Sequence, residues 1–216
     1  MDIAHELAAS GARAGVLVVA DRQDSGRGRG GNTWASADNA GVWMTLIERP
    51  RDQHAVRVLA LRLGMVMADV LTPMVDEPIM LKWPNDVFAG AGKLAGILVE
   101  ARWRDGDIEW VAIGIGINRR APEGLAQAAA VRAGISRAEI LRAVVPAIRG
   151  ATAMQGYLTD DELARWHARD VARGKRLSQP RMGLADGIEC DGALRVLSLD
   201  RSTIERVHTG SLAFAP

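Results

Sequence analysis

Leu94-Ala95-Gly96-Ile97-Leu98-Val99-Glu100-Ala101-Arg102-Trp103, then Asp105-Gly106, then Ile108-Glu109-Trp110-Val111-Ala112-Ile113-Gly114-Ile115-Gly116-Ile117 is the stretch on which the fold turns. Both runs are rich in branched and aromatic residues, which suit a pleated, half-buried surface. The dipeptide between them accepts positive φ, so the runs are predicted to be two strands of one hairpin. Ile97, Val99, Ala101 and Trp103 then share one face, and Ile108, Trp110 and Ala112 alternate likewise on the partner.

Working outward from that hairpin toward the N-terminus, the turn Lys82-Trp83-Pro84-Asn85-Asp86 precedes it and Pro84 shapes the bend. Val56 to Leu71 carries apolar residues at helical spacing and is stopped by Pro73, while Val42 to Ile47 has strand character. Asp21 to Thr33 is a loop rich in Gly, Arg and Asp, and it follows Val16-Leu17-Val18-Val19-Ala20, an apolar run short enough for a buried strand. Ile3 to Ala12 reads as a short helix closed by Gly11 and Gly15.

Toward the C-terminus, Ala121 to Gly134 is Ala-rich and compatible with either a mobile segment or a weak helix. Ser136 with Glu139, and Thr159 with Glu162, have capping-box spacing, so helices are predicted to start there; the first continues past Pro146 and the second reaches Arg169. After Gly174 short β-runs alternate with Gly183, Gly187, Asp191-Gly192 and Asp200-Arg201, the pattern of a small all-β barrel. The expected organisation is therefore α+β, with a mixed or antiparallel sheet domain over residues 1–170 and a small β domain over 171–216.

The 216 residues suffice for one sizeable core, and the 48% hydrophobic and 25% charged content is that of a globular chain. A net charge of +1 with scattered arginines speaks against nucleic acid as a partner. The single Cys190 excludes an intrachain disulfide and a thiolate metal cluster; it is expected to be small and buried at the rim of a hairpin. No apolar run approaches the length of a membrane span, and Met1 to Ala14 lacks the features of a signal peptide. A cytoplasmic location without membrane attachment is the expectation. Of 27 cationic residues only Lys82, Lys93 and Lys175 are lysine, and two of them fall within one short window, which points to chemistry that a compact ammonium performs and a planar guanidinium does not.

Several residues are candidates for that chemistry. In Gln23-Asp24-Ser25-Gly26-Arg27-Gly28-Arg29-Gly30-Gly31-Asn32-Thr33-Trp34, glycines let the backbone approach a ligand, and Arg27 and Arg29 can chelate phosphate or carboxylate oxygens. Trp34 would wall a pocket. Gly92-Lys93 is not a P-loop, because Leu94 replaces the hydroxyl residue and Val87 the first glycine; Gly114-Ile115-Gly116 lacks the third glycine of a dinucleotide loop. Asn118 and Lys93 are nevertheless brought near each other by the hairpin. Asp86 sits at a turn suited to holding a carboxylate toward an amine or metal, though such residues are often structural. His5, His54, His167 and His208 have no metal-ligand spacing and are expected to be solvated.

The Gly26–Gly31 loop ending at Trp34, Lys82-Trp83-Pro84-Asn85-Asp86, Lys93-Leu94-Ala95-Gly96-Ile97-Leu98-Val99-Glu100 and Gly114-Ile115-Gly116-Ile117-Asn118 together resemble the biotin protein ligases, in that family's order and approximate spacing. The resemblance implies a biotin/lipoate ligase-type catalytic domain followed by an SH3-like C-terminal domain. It implies that biotin is joined to ATP as biotinyl-5′-AMP and then passed to a lysine of a biotin carboxyl carrier protein. Position by position it implies biotin contacts from Gln23, Arg27, Gly28, Trp34, Lys93 and Gly96. ATP contacts are implied for Arg29, Lys82, Asn85, Lys93 and Asn118, with Mg2+ carried by ATP rather than by a protein metal site. Lys93, Arg29 and Asp86 would be catalytic, Asp86 orienting or deprotonating the incoming amine.

Two departures modify these implications. The family usually has a Ser-Thr pair just before its first helix, where this chain reads Met1-Asp2-Ile3-Ala4, so the pocket is expected to lack one wall. Asn32 stands where a further arginine is common, and one phosphate contact is expected to be missing. No winged helix precedes the catalytic region, so no DNA binding is expected; a homodimer is compatible with the sequence. The alternatives weighed are a degenerate protein that holds biotin or a nucleotide without ligase activity, and a lipoate ligase, whose His-containing motif is absent.

Overall fold

The computed structural model describes residues 1–34, 36, 38–121 and 127–215. Its first sheet has six antiparallel strands, β1 (Leu17–Ala20), β2 (Gly41–Glu48), β3 (Ile79–Lys82), β4 (Asp86–Ala89), β5 (Gly92–Arg104) and β6 (Asp107–Asn118), in the order β1-β2-β6-β5-β4-β3. Asp105 at φ 53° and Gly106 at φ 91° make the predicted turn, and β5 and β6 are the long central strands. The register is less regular than alternation implies. Arg102 faces Trp110 but Trp103 faces Ile108, so Glu109 is an extra residue and the strand bulges. Ile108 consequently joins the main core, whereas Trp110 packs on the opposite face with Ala4, Ala8 and Ile47.

Helix α1 (Asp2–Ala9) covers that second face. β1, expected to be a buried strand, is an edge strand whose Val19 is 40% exposed, because no strand pairs beyond it among the described residues. The helix expected over Val56 to Leu71 is two: α2 (Gln53–Arg57) and α3 (Leu59–Leu71) meet at Val58, whose φ −101° and ψ 4° break the helical path. Asp52 caps α2 by accepting from the His54 and Ala55 amides. In the Ala121 to Gly134 segment, residues 122–126 lie outside the described set; beyond them the chain runs extended beside Lys93, with Lys93 N donating to Gln127 O and Ala129 N to Lys93 O.

Both capping boxes form, opening α4 (Arg137–Thr152) and α5 (Asp160–His167). The last strands, β7 (Arg176–Gln179), β8 (Gly183–Ile188), β9 (Leu194–Leu197), β10 (Ile204–Val207) and β11 (Ala213–Phe214), make a five-stranded antiparallel sheet in the order β10-β9-β8-β7-β11. Gly187 lies inside β8 at an irregularity rather than between strands. Cys190 is exposed, not buried, since it precedes the Asp191-Gly192 turn. Two histidines are not simply solvated: Trp110 Nε1 donates to His5 Nδ1, and Ile188 N donates to His167 Nε2. No helix among the described residues is long and apolar enough to cross a membrane.

Leu81 joins the two halves. Its amide donates to Arg169 O, and Val171 N donates to its carbonyl, so the chain entering the second sheet runs along the edge of the first. One apolar cluster extends from α3 and α4 through Trp166 and Ala172 into Leu177, Ala185 and Leu194. Asp170 is caught in this joint at 8% exposure, with Oδ1 accepting from Ala172 N and Oδ2 lacking a partner. Burial pushes its carboxyl above the usual range, against the backbone hydrogen bond and His167. A raised folded-state value means that the folded chain holds this proton more tightly than the unfolded chain. The contribution is fully present below the ordinary carboxylate pKa and is lost as pH rises through the raised one. Asp170→Asn is therefore expected to raise stability at neutral pH, on the order of 1 kcal/mol, and to flatten the decline above about pH 4. Melting temperatures of both forms across that range check it, and a variant less stable at neutral pH refutes it.

Candidate active site

The glycine-arginine loop is a narrow hairpin: Trp34 N donates to Gly26 O and Gly28 N to Asn32 O, and a 3-10 turn, Arg29–Gly31, forms its tip. Asn32 Nδ2 donates to Arg29 O, which spends its side chain on holding that tip. Trp34 folds back so that its indole lies over two facing glycines, Gly96 of β5 and Gly116 of β6. A Cβ at Gly96 would stand 2.7 Å from the indole and one at Gly116 2.6 Å, so neither position admits a side chain without displacing the ring. The indole Nε1 is buried without a hydrogen-bond partner.

Lys93 is placed over this seat by a second bulge. Val87 faces Ala95 but Phe88 faces Lys93, leaving Leu94 unpaired and re-aiming the lysine. Its ammonium lies 2.7 Å from Asp86 Oδ1 and 4.9 Å from the Trp34 ring centroid. Asn85 holds the neighbouring turn, its Nδ2 donating to Ile97 O at 2.7 Å. Together these groups line a cavity of about 140 Å3 that takes in Gln23, Arg27, Gly28, Arg29, Trp34, Asn85, Asp86, Lys93 and Gly96. Nine of the eleven residues singled out in the sequence thus converge on one cleft.

The other two are placed differently. Asn118 is 3% exposed and its amide donates to Lys93 O and Ala129 O, both at 3.1 Å, so it stands behind the lysine strand; its Oδ1 is buried and unpartnered. Lys82 lies outside the cavity lining, its ammonium 5.8 Å from the Phe88 ring and 5.5 Å from the Phe214 ring. Burial lowers the Lys82 pKa, with Asp86 opposing and Lys93 reinforcing that shift.

Charge in the cleft is mostly self-compensated. Arg27 pairs with Asp2 at 2.5 Å and Lys93 with Asp86, which leaves Arg29 as a cation without an ion pair among the described residues. Burial lowers its pKa and Asp86 raises it, but a guanidinium starts so high that it stays charged. An anion entering the cleft therefore meets an uncommitted guanidinium beside an ammonium that can be drawn from Asp86. Such an arrangement can bind a phosphate or carboxylate and stabilise charge migrating between the two.

Sequence reasoning missed several contributors. Ser36 donates its hydroxyl to Gln23 Oε1 at 2.5 Å, fixing that amide. Thr45 and Met1 reach the cleft beside Gly114, with Thr45 Oγ1 donating to Met1 Sδ at 3.4 Å, and Ser211 arrives from the C-terminal segment. Thr45 carried a legible signal, being a hydroxyl in the middle of the otherwise apolar run Val42–Ile47. Ser36, Met1 and Ser211 depend on tertiary approach and carried none.

Comparison with known proteins finds relatives of this chain in sequence and in fold. The sequence model described as the biotin/lipoate A/B protein ligase family matches residues 3–118. The bifunctional ligase/repressor BirA of Salmonella typhimurium is 40% identical over 107 residues, which are 49% of this chain but only 33% of that protein. The biotin--[acetyl-CoA-carboxylase] ligase of Paracoccus denitrificans is 30% identical over 222 aligned positions, covering 86% of this chain and 85% of that one. The biotin protein ligase of Aquifex aeolicus, solved with biotin and ATP, superposes with a TM-score of 0.76 at 23% identity over 98% of this chain and 93% of the other, a likeness of fold.

Proposed function

We infer that this chain, which belongs to the biotin/lipoate A/B protein ligase family, activates biotin with Mg-ATP and transfers it to a lysine of a biotin carboxyl carrier protein. The observation that carries the reading is the Lys93–Asp86 pair at 2.7 Å, held over Trp34 in the cleft that Arg29 also enters. In the first step a biotin carboxylate oxygen bonds to the α-phosphorus while the bond to pyrophosphate breaks. Negative charge shifts from carboxylate to phosphate oxygens, and a mobile ammonium between them follows it. Arg29 grips the phosphates. Gln23, Arg27, Gly28, Gly96 and Trp34 surround biotin.

In the second step the carrier's lysine amine bonds to the acyl carbon, AMP departs with the electrons of the acyl-phosphate bond, and the amine proton passes to Asp86. Withdrawal of Lys93 toward the phosphate frees that carboxylate to take it. Asn85 supports the turn bearing Asp86, and Asn118 fixes the backbone of Lys93 from behind. Mg2+ arrives with ATP as part of the substrate. On this reading the enzyme works in the cytoplasm, its acceptor is the carrier of acetyl-CoA carboxylase or a related carboxylase, and it engages no nucleic acid.

The decisive experiment supplies biotin, Mg-ATP and a carrier domain and follows pyrophosphate and biotinylated carrier together. Stoichiometric appearance of both is expected. Binding of biotin or ATP with neither product, in this chain and in an N-terminally extended form, would sink the ligase reading and leave a binding protein.

A further inference from the structure

A second concavity, of about 540 Å3, opens on the far face of β5. Alternate residues of a strand face opposite ways, so Gly96 and Leu98 look into the catalytic cleft while Val99, Ala101 and Trp103 line this groove. Ile97 and Arg29 line both, so the groove and the cleft adjoin at these two residues. The groove is basic: among its described lining residues are Arg29, Arg57, His54 and His208, and no carboxylate. In a chain with 26 acidic and 27 basic residues that bias is local rather than general.

Two of the nearby acids are already engaged. Asp52 accepts from the His54, Ala55 and Gly156 amides, and Asp191 lies 2.7 Å from Arg206 and 3.8 Å from His208. Arg57 is exposed and makes no ion pair with a described residue. The wall opposite β5 is tied together by side-chain contacts. Arg62 donates to the carbonyls of Gly156 and Tyr157 and to Glu162, and His54 lies against Tyr157 with ring centroids 4.4 Å apart. At the outer end Trp103 is 45% exposed, an aromatic anchor without a described cover.

We propose that this groove seats an acidic segment of the acceptor protein, aligning it so that its target lysine enters the catalytic cleft past Arg29. The proposal rests on the ligase reading and adds the acceptor's chemistry to it: carboxylates beside the target lysine meet Arg57, with His54 beside it, and an apolar side chain meets Trp103. Two arginines without ion pairs among the described residues, Arg57 in the groove and Arg29 where it adjoins the cleft, favour an acidic polypeptide over a neutral one and steer its approach.

The test separates transfer from activation. Arg57→Glu and Trp103→Ala are compared with the unaltered chain, first with biotin, Mg-ATP and hydroxylamine as a small acceptor, then with a carrier domain. Pyrophosphate and biotinyl hydroxamate should stay within roughly twofold, while KM for the carrier rises roughly tenfold or more in Arg57→Glu and loses part of its salt dependence. A carrier whose flanking carboxylate is changed to lysine should recover much of that loss with Arg57→Glu. Unchanged carrier KM in both variants overturns the proposal. So does a weakened ATP KM, which would make the groove a nucleotide site, or a concentration-dependent dimer lost in Trp103→Ala, which would make it an interface between copies. Absence of hydroxamate and pyrophosphate from the unaltered chain would instead defeat the ligase reading, and direct titration with the carrier at two salt concentrations would still decide the groove.

Discussion

Lys93→Arg is expected to lower pyrophosphate release by roughly 10²- to 10³-fold while leaving the fold intact. The substitution is a sharp test because the resting contacts accept it. A guanidinium can pair with Asp86, 2.7 Å from the present ammonium, and can stack on Trp34, whose ring centroid is 4.9 Å away. Stability should therefore change by no more than about 1 kcal/mol. What the arginine lacks is compactness: its planar fork settles on one carboxylate and cannot follow charge from carboxylate to phosphate. Retained melting temperature with lost pyrophosphate release is the expected pair of results. Near-normal turnover would refute the role given to Lys93.

Arg62→Ala is expected to cost about 3–5 kcal/mol of folding stability, through a charge left alone rather than a lost attraction. Arg62 is 1% exposed and Glu162 4% exposed, and their closest approach is 2.7 Å. Burial alone would push the Glu162 carboxyl up, but the Arg62 and Thr159 donors outweigh it and hold it below the usual range. Removing the guanidinium strands that carboxylate in the core and deprives the Gly156 and Tyr157 carbonyls of donors. Denaturant titration of both forms measures the difference; a loss below about 1 kcal/mol would show that water replaces the guanidinium.

Much of this molecule is legible in the amino-acid sequence wherever a feature is decided by neighbours. Asp105-Gly106 names its own turn, and Ser136 with Glu139 and Thr159 with Glu162 name two helix starts, because each needs only residues within one turn of chain. The bulges at Leu94 and Glu109 are not legible, since they depend on how two strands shift to satisfy packing on both faces. Yet those shifts aim Lys93 at Asp86 and put Trp110 against α1. The same limit explains Asn118 and Lys82. Their motifs mark them, but only the packed structure shows one spent on backbone carbonyls behind the site and the other held between Phe88 and Phe214. Arg62 gave a partial signal, a charge inside an apolar helix, and its partner lies a hundred residues away.

The joint at Leu81 bears on how the protein comes apart. With Arg169 and Val171 hydrogen-bonded to that residue and Trp166 wholly buried in a cluster shared by both sheets, a cut after residue 170 would not divide the chain into two self-sufficient bodies. It would leave the larger piece with an open apolar wall and the smaller with half a core. Change of topology and limit of cooperativity need not coincide along a polypeptide. In this one, the small sheet is expected to melt with the large one, calorimetry recording a single transition.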